Sequence, residues 1–411
     1  MANRTIYFGP FNNYQKTKLF NMALDYLKKG LGNRFYYLLP HGGLLKDYRK
    51  KLINEAEKVF EINIFTFDDI VASIIKDETY FTVNESMKDL IIKKSIRNLR
   101  EEGKLNYYKN IASREGFLEG LNYIIGEIKR SIIYPDDYLL KCPNRPYFKE
   151  IGLIYGEYER HLESLGLIDR EGAYFKAIGT LKDNLHKFQD LDFIIIDEFY
   201  DFRPVELEII KELSKTNVDI YINIPFEMKS KIPNVEETLS KLMELGFQLE
   251  YVNGKDKNTF ETIGYNFFHE EFEEVGKTDN IRLIKSPSIY LELKKIFEEI
   301  RRHHKNGYRL EDMAIVLLNE EYKEILYKVA SEEKLPINAR KEIPLIQVPL
   351  VKEFLNLIET RINRGDKQFL IPRLKAHYFK LVDKEHMDAI EFILRKVNFT
   401  NIDDFIRLLK E

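Results

Sequence analysis

The residues best suited to chemistry in this chain are two adjacent carboxylates, Asp197 and Glu198, which close the apolar run "LDFIIIDE". A run that is apolar at every position reads as a strand buried on both faces of a parallel sheet. The carboxyl edge of such a sheet is where α/β proteins bind ligands. There an aspartate can hold Mg²⁺ through its water shell while the following glutamate polarises an attacking water. Solvated acids at an ordinary strand end would give the same pattern, but Asp201 and Pro204 in "FYDFRPVE" tighten the case for a site.

A second candidate opens the chain. In "IYFGPFNNYQKTKLF" (6–20) a short apolar strand runs into Gly9, and Lys16-Thr17 opens an amphipathic helix. That is the layout in which backbone N–H groups cradle phosphates. The spacing G-x-x-x-x-G-K-[ST] requires glycine at 14 and lysine at 15, whereas the chain has Tyr14 and Gln15, with Lys16 one place late. Two readings stand. A one-residue bulge would let Lys16 reach phosphate and let Thr17, with Asp197, hold Mg²⁺. Alternatively the loop is degenerate: Tyr14-Gln15 removes the glycine that permits close backbone approach, and Pro10 deletes an N–H. The loop chemistry favours degeneration, while retention of both Asp197 and Glu198 pulls the other way.

The elements that must position these groups follow from periodicity. Residues 1–76 alternate strand-like and helix-like runs, the opening of a parallel α/β sheet. Residues 77–190 read as almost wholly helical and as an inserted domain. The sheet resumes over 191–278 with "LDFIIID", a helix begun by Pro204 and "VDIYINIP". A second α/β region is expected over 279–365, with "NIRLIKSP" and "MAIVLLN" as strands, then a helical part over 366–411 that looks unfinished.

Composition sets outer bounds. With 411 residues, 44% hydrophobic and 32% charged, the chain is a globular protein of two or three domains. Its net charge of −3 announces no global basic field, so any nucleic-acid surface must be local. One cysteine, Cys142, excludes a disulfide framework, a cysteine-rich zinc site and a self-contained iron–sulfur cluster. The histidines show no H-E-x-x-H pattern, and "RRHHKNGYR" (301–309) reads as a helix end whose cations complement the macrodipole. No apolar run long enough to span a membrane and no signal peptide is read, so a cytoplasmic protein is expected.

Asp-Glu-Phe-x-Asp, residues 197–201, resembles the second motif of UvrD-like superfamily 1 helicases, with Tyr200 in place of the usual glutamine. The wider chain is similar to one branch, the AddB subunit of the bacterial AddAB helicase-nuclease and its RexB relatives. The similarity is carried by "GFLEGLNYIIGEIKRSII", "LIYGEYERHLESLGLIDREG", the "FxDFxPxE" ending at 199–206, and segments 298–338 and 343–359. It implies a RecA-like parallel sheet domain interrupted by an all-helical insertion and followed by the start of a second RecA-like domain.

The resemblance also implies a function: a helicase-like subunit that grips single-stranded DNA beside an AddA-like motor in double-strand-break processing, with weak or absent binding of Mg²⁺ and ATP. The alternative is an active or partly active ATPase using Lys16, Thr17, Asp197 and Glu198. The arginine-bearing last motif, and the nuclease with its iron–sulfur cluster, have no counterpart in this chain. The equivalents of the early DNA-contacting motifs are "LLPHGGLLKDYRKKL" (38–52) and "FTFDDI" (65–70). His41, Gly42 and Lys46 would meet phosphates, Thr66 would bond one, and Phe67 would stack a base.

Overall fold

The computed structural model describes residues 2–9, 14–77, 79–112, 114–183, 185, 188–226, 232–252, 262–263, 280–339, 344–379 and 384–410. They fall into two units, Met1–Asp279 and Asn280–Glu411. In the first, short runs of two to seven residues become strands and amphipathic stretches become most of the helices between them. In order these are β1 (Arg4–Gly9), α1 (Tyr14–Lys28), β2 (Phe35–Leu38), α2 (Gly42–Ala56), β3 (Ile64–Phe65), α3 (Phe67–Ile74), β4 (Phe81–Thr82), α4 (Glu85–Glu101), α5 (Glu115–Arg130), α6 (Pro135–Lys141) and α7 (Pro146–Ser164). There follow β5 (Leu167–Ile168), α8 (Arg170–Asp183), β6 (Phe193–Ile196), α9 (Pro204–Leu213), β7 (Asp219–Pro225), α10 (Pro233–Glu244) and β8 (Gln248–Tyr251).

Six strands form one sheet in the order β3-β2-β6-β7-β1-β8, and every pairing is parallel. The α/β reading with a helical insertion therefore holds. Because side chains alternate across a strand, the sheet has two dry faces. Phe35, Tyr37, Phe193 and Ile195 pack under α1 and α2, on Leu19, Phe20, Leu24 and Leu52. Leu38, Ile194, Ile196, Ile220 and Ile222 face the other way, against α3, α8, α9 and α10. Helices on both faces are why these strands read as continuous apolar runs.

The helical block has its own core, in which Ile92 and Ile96 of α4 meet Leu121 and Ile125 of α5 and Ile154, Tyr155 and Tyr158 of α7. It also contains a two-stranded parallel sheet of β4 and β5, too short to register as periodicity. Helix α8 lies within the stretch expected to belong to that block, yet Tyr174, Ala177, Ile178 and Leu181 join the core under the large sheet.

The second unit departs from expectation. Residues 281–286 and 313–317 are in no ladder, although "NIRLIKSP" and "MAIVLLN" read as strands. Burial nonetheless alternates along the second segment: Ile315 and Leu317 pack on a core of Leu293, Phe297, Leu326 and Val329, while Val316 and Leu318 are exposed. A strand also needs a hydrogen-bonding neighbour, and among the described residues neither segment has one.

Candidate functional site

Asp197 follows β6 at the carboxyl edge of the sheet, on the face covered by α1 and α2, and is fully buried. Alternation brings three groups to it from that face. Tyr37 in β2 pairs with Ile195 and donates its hydroxyl to Asp197 Oδ2 at 2.5 Å. Tyr48 of α2 reaches down and donates to the same oxygen at 3.1 Å. Asn223 in β7 lies one residue beyond Ile222, the partner of Ile196, and its amide donates to Asp197 Oδ1 at 2.5 Å. The Glu198 N–H supplies the fourth bond, to Oδ1 at 2.8 Å.

A carboxylate offers about four lone-pair sites; Tyr37, Asn223 and the Glu198 N–H each donate to one, and the single Tyr48 proton is shared between Asp197 and Glu198. Burial pushes the Asp197 carboxyl up from its ordinary value, with the Glu198 charge adding to the push. Burial likewise holds the Tyr37 and Tyr48 hydroxyls well above the usual tyrosine range, so both are donors.

Glu198 turns the other way. Its φ of 67° is left-handed, a conformation that costs a non-glycine residue roughly 1–2 kcal/mol. The turn sends its carboxylate to Lys16 Nζ and to the Tyr48 hydroxyl, 2.9 Å from Oε1. The Lys16 ammonium also lies 5.2 Å from the Tyr48 ring centroid. Lys16 and Thr17 sit in the first turn of α1 and border a cleft of about 520 Å³ between α1 and α2, lined also by Asn21, Asp47, Tyr48 and Lys51.

The expected pair of phosphate-loop lysine and acidic motif is thus brought together, but the lysine is spent on Glu198. The aspartate's oxygens are engaged by buried neutral donors, one of them shared with Glu198. Among the described residues, no cluster of three or more His, Cys, Asp or Glu could hold a metal.

Gly9 ends β1, and a Cβ there would stand 2.5 Å from the carbonyl oxygen of Val252. The close backbone approach that requires glycine here is made by the chain itself as it leaves β8. Pro10, the other residue weighed in the loop, lies outside the described residues.

The expected DNA contacts leave adjacent strands at the same sheet edge, because Leu38 of β2 pairs with Phe65 of β3. His41 caps α2, its Nδ1 accepting from Leu44 N at 3.4 Å. Gly42 and Lys46 are exposed in the first turns of that helix. Thr66 caps α3 in a reciprocal capping box with Asp69.

Phe67 is corrected. It is only 3% exposed and packs edge-on against Phe199 and Phe202 at 5.4 and 6.2 Å. Its ring pins the loop after the acidic motif into the core and is not presented to a base. Asp201 of that loop is exposed, while Pro204 begins α9 with Arg203 and Glu206 closing its cap.

Sequence reasoning missed Tyr37, Tyr48 and Asn223. Only Asn223 carried a signal, as an amide between Ile222 and Ile224 in the strand-like run "VDIYINIP".

Residues 17–245, more than half of the chain, match the family described as ADDB, N-terminal. Curated relatives described as the B subunit of ATP-dependent helicase/deoxyribonuclease include one from Carboxydothermus hydrogenoformans, 24% identical over 77% of this chain and 30% of its own length. Another, from Alkaliphilus oremlandii, is 24% identical over 90% of this chain and 35% of its own. A third, from Clostridium novyi, is 24% identical over 81% and 32%. This chain therefore spans about a third of the length of these relatives. No helix among the described residues is long and apolar enough to cross a membrane. With its parallel sheet, its helical insertion and this match over most of the first unit, the chain belongs to the ADDB N-terminal family.

Proposed function

We propose that this chain is the DNA-holding, helicase-like part of an AddB-type subunit, in which the former nucleotide centre has become a structural hub. In this reading it works in the cytoplasm beside an AddA-like motor subunit. It holds the single strand released at a processed double-strand break and contributes to recombination without hydrolysing ATP itself. The observation that carries the reading is the saturation of Asp197 by Tyr37, Tyr48, Asn223 and the Glu198 N–H. A metal would have to displace two buried phenols and an amide to reach it. The edge formed by His41, Gly42, Lys46 and Thr66 supports the DNA-holding half: backbone N–H groups at two helix starts, with an exposed cation, suit phosphates. No iron–sulfur cluster is assigned to this chain.

The active-ATPase reading is favoured by one observation, the cleft beside Lys16 and Thr17. Fluorescence anisotropy with a labelled single-stranded oligonucleotide, at low and high salt and with and without Mg²⁺-ATP, separates the two. The DNA-holding reading predicts binding that weakens with salt and is indifferent to nucleotide. Nucleotide-dependent affinity that disappears in Lys16→Ala would overturn it in favour of an ATPase.

A further inference from the structure

The helical insertion carries a second surface with the chemistry of a single-stranded nucleic-acid site, remote in sequence from the sheet edge. Two stretches meet there, "GKLNYYKNIASR" (103–114) and "KCPNRPYFK" (141–149), and neither contains a carboxylate. They are joined by Glu150, a buried residue of α7. Its carboxylate accepts the backbone N–H groups of Asn106, Tyr107 and Tyr108 at 2.7, 2.7 and 2.9 Å. Three bonds to one buried carboxylate fix the loop rigidly against the start of α7.

What that fixed loop presents is aromatic. Tyr107 is 59% exposed. Its ring lies 5.6 Å from Tyr147 at a 44° tilt, Tyr147 lies 4.4 Å from Phe148 at 43°, and Tyr108 meets Tyr107 edge-on at 5.0 Å, a ring cluster, here called the shelf, whose exposed member is Tyr107. Cations surround the shelf: Lys109 two residues after Tyr107, Arg145 two before Tyr147, and Lys149 directly after Phe148, all exposed. Arg145 is the N-cap of α7, and Lys149 follows four residues on, so both lie over one face of the first helical turn.

Arg145 and Lys149 are at the wrong end of α7 to be stabilised by its dipole, and Lys109 lies in a turn outside any helix. No ion pair is made by Lys109, Arg145 or Lys149 among the described residues. Helix stability and internal pairing therefore do not account for them, while an anionic ligand would.

We propose that this shelf binds a single strand of nucleic acid, with a base stacked on Tyr107 and the flanking phosphates against Lys109, Arg145 and Lys149. Paired duplex would offer the phosphates but no free base face, and an acidic peptide would use the charges but not the ring. The inference rests on the DNA-holding reading above and deepens it by adding a binding surface on the insertion.

The test is anisotropy titration of the whole chain with DNA and RNA oligonucleotides of one sequence, single-stranded and duplex, over a salt series. It compares the native chain with K109E/R145E/K149E, Tyr107→Leu, Tyr107→Phe and, for the sheet edge, Lys46→Glu, with circular dichroism as a check that each is folded. We expect the triple variant to bind single strands at least tenfold more weakly. Its salt dependence should be shallower by about 2 in log–log slope, at roughly 0.7 for each phosphate no longer neutralised. Tyr107→Leu should lose at least about fivefold and Tyr107→Phe almost nothing.

If the triple reversal does not fold, Lys149→Gln with Arg145→Gln gives the same sign with a smaller loss. Native binding that survives every shelf variant but falls in Lys46→Glu overturns the shelf and leaves the sheet-edge reading standing. Loss in the triple variant but not in Tyr107→Leu, or equal affinity for duplex, overturns single-strand recognition in favour of a surface that reads charge alone. A native chain that binds none of the oligonucleotides overturns both proposals. DNA preferred to RNA assigns the strand to DNA, and the reverse preference contradicts that assignment.

Discussion

Two buried aspartates in this protein end short parallel strands and solve the same problem in opposite ways. Asp169, after β5 in the helical region, is 1% exposed. It meets a fully buried lysine: Lys129 Nζ lies 2.6 Å from Asp169 and 2.6 Å from Glu159. The Tyr158 hydroxyl and the Gly172 N–H complete its shell, and although burial pushes its carboxyl up, the Lys129 charge and hydrogen bond, the Lys88 charge and the Gly172 N–H together hold it below the ordinary value. Asp197, at the edge of the large sheet, has only neutral donors, and its carboxyl is pushed up.

The lysine that approaches this motif, Lys16, has gone to Glu198. In a metal-dependent site the missing counter-charge would be a cation. Here phenols and an amide occupy that place, and protonation becomes the cheaper way to relieve the buried charge. The difference teaches that the surroundings of a buried carboxylate, a cation or neutral donors, decide whether its charge or its proton is favoured.

The aspartate with the buried cation is the more vulnerable of the two. Lys129→Met leaves Asp169 buried without its counter-charge and is expected to cost about 3–5 kcal/mol, read as a fall in denaturant midpoint; a loss below about 1 kcal/mol would mean that the pair is not structural. Asp197→Ala takes the acceptor from Tyr37, Asn223 and the Glu198 N–H, leaving Tyr48 its bond to Glu198, and is expected to destabilise by about 2–4 kcal/mol. An aspartate kept for metal binding would instead be removed at little cost to the metal-free chain. Tyr48→Phe deletes the bonds to both Asp197 and Glu198 and should cost about 1–2 kcal/mol by the same measurement.

Acid titration separates the two aspartates further, because they contribute with opposite sign. Asp169 has a lowered carboxyl, so its contribution is present above the unfolded value of about 3.9 and is lost as pH falls through the folded value. Asp169→Asn should therefore flatten the acid side of the stability curve. Asp197 has a raised carboxyl, so the folded state binds the proton more tightly and stability falls as pH rises from about 3.9 through the folded value. Asp197→Asn should remove that fall, and identical slopes in the two variants would refute the assignment. Smallest of all, Lys16→Met breaks a partly exposed pair and should change stability by less than about 1 kcal/mol.

The sheet was legible because its central strands are apolar: "FIII" is buried throughout and isoleucine recurs at every second residue of "DIYINIP". The acidic motif was legible for the same reason, as the first charge after such a run. Its hydrogen-bond shell was not. The tyrosines that saturate Asp197 are separated from it by 149 and 160 residues, and a tyrosine in "FYYLLP" or on an amphipathic helix looks like ordinary core. Phe67 was expected among the DNA contacts because it follows a strand, but its partners Phe199 and Phe202 come from across the sheet. Gly9 was read for a phosphate, whereas Val252 is what crowds it. Strands were also expected in "NIRLIKSP" and "MAIVLLN", where the apolar residues are real but pairing, which needs a second segment, is not encoded locally.

The central claim, that the acidic motif is a structural hub rather than a nucleotide centre, is tested most directly by isothermal titration of Mg²⁺-ATP into this chain. The account predicts no saturable heat up to millimolar nucleotide, with the same flat trace for Lys16→Ala. Saturable binding that Lys16→Ala abolishes would contradict it and return Lys16, Thr17, Asp197 and Glu198 to an ATP site.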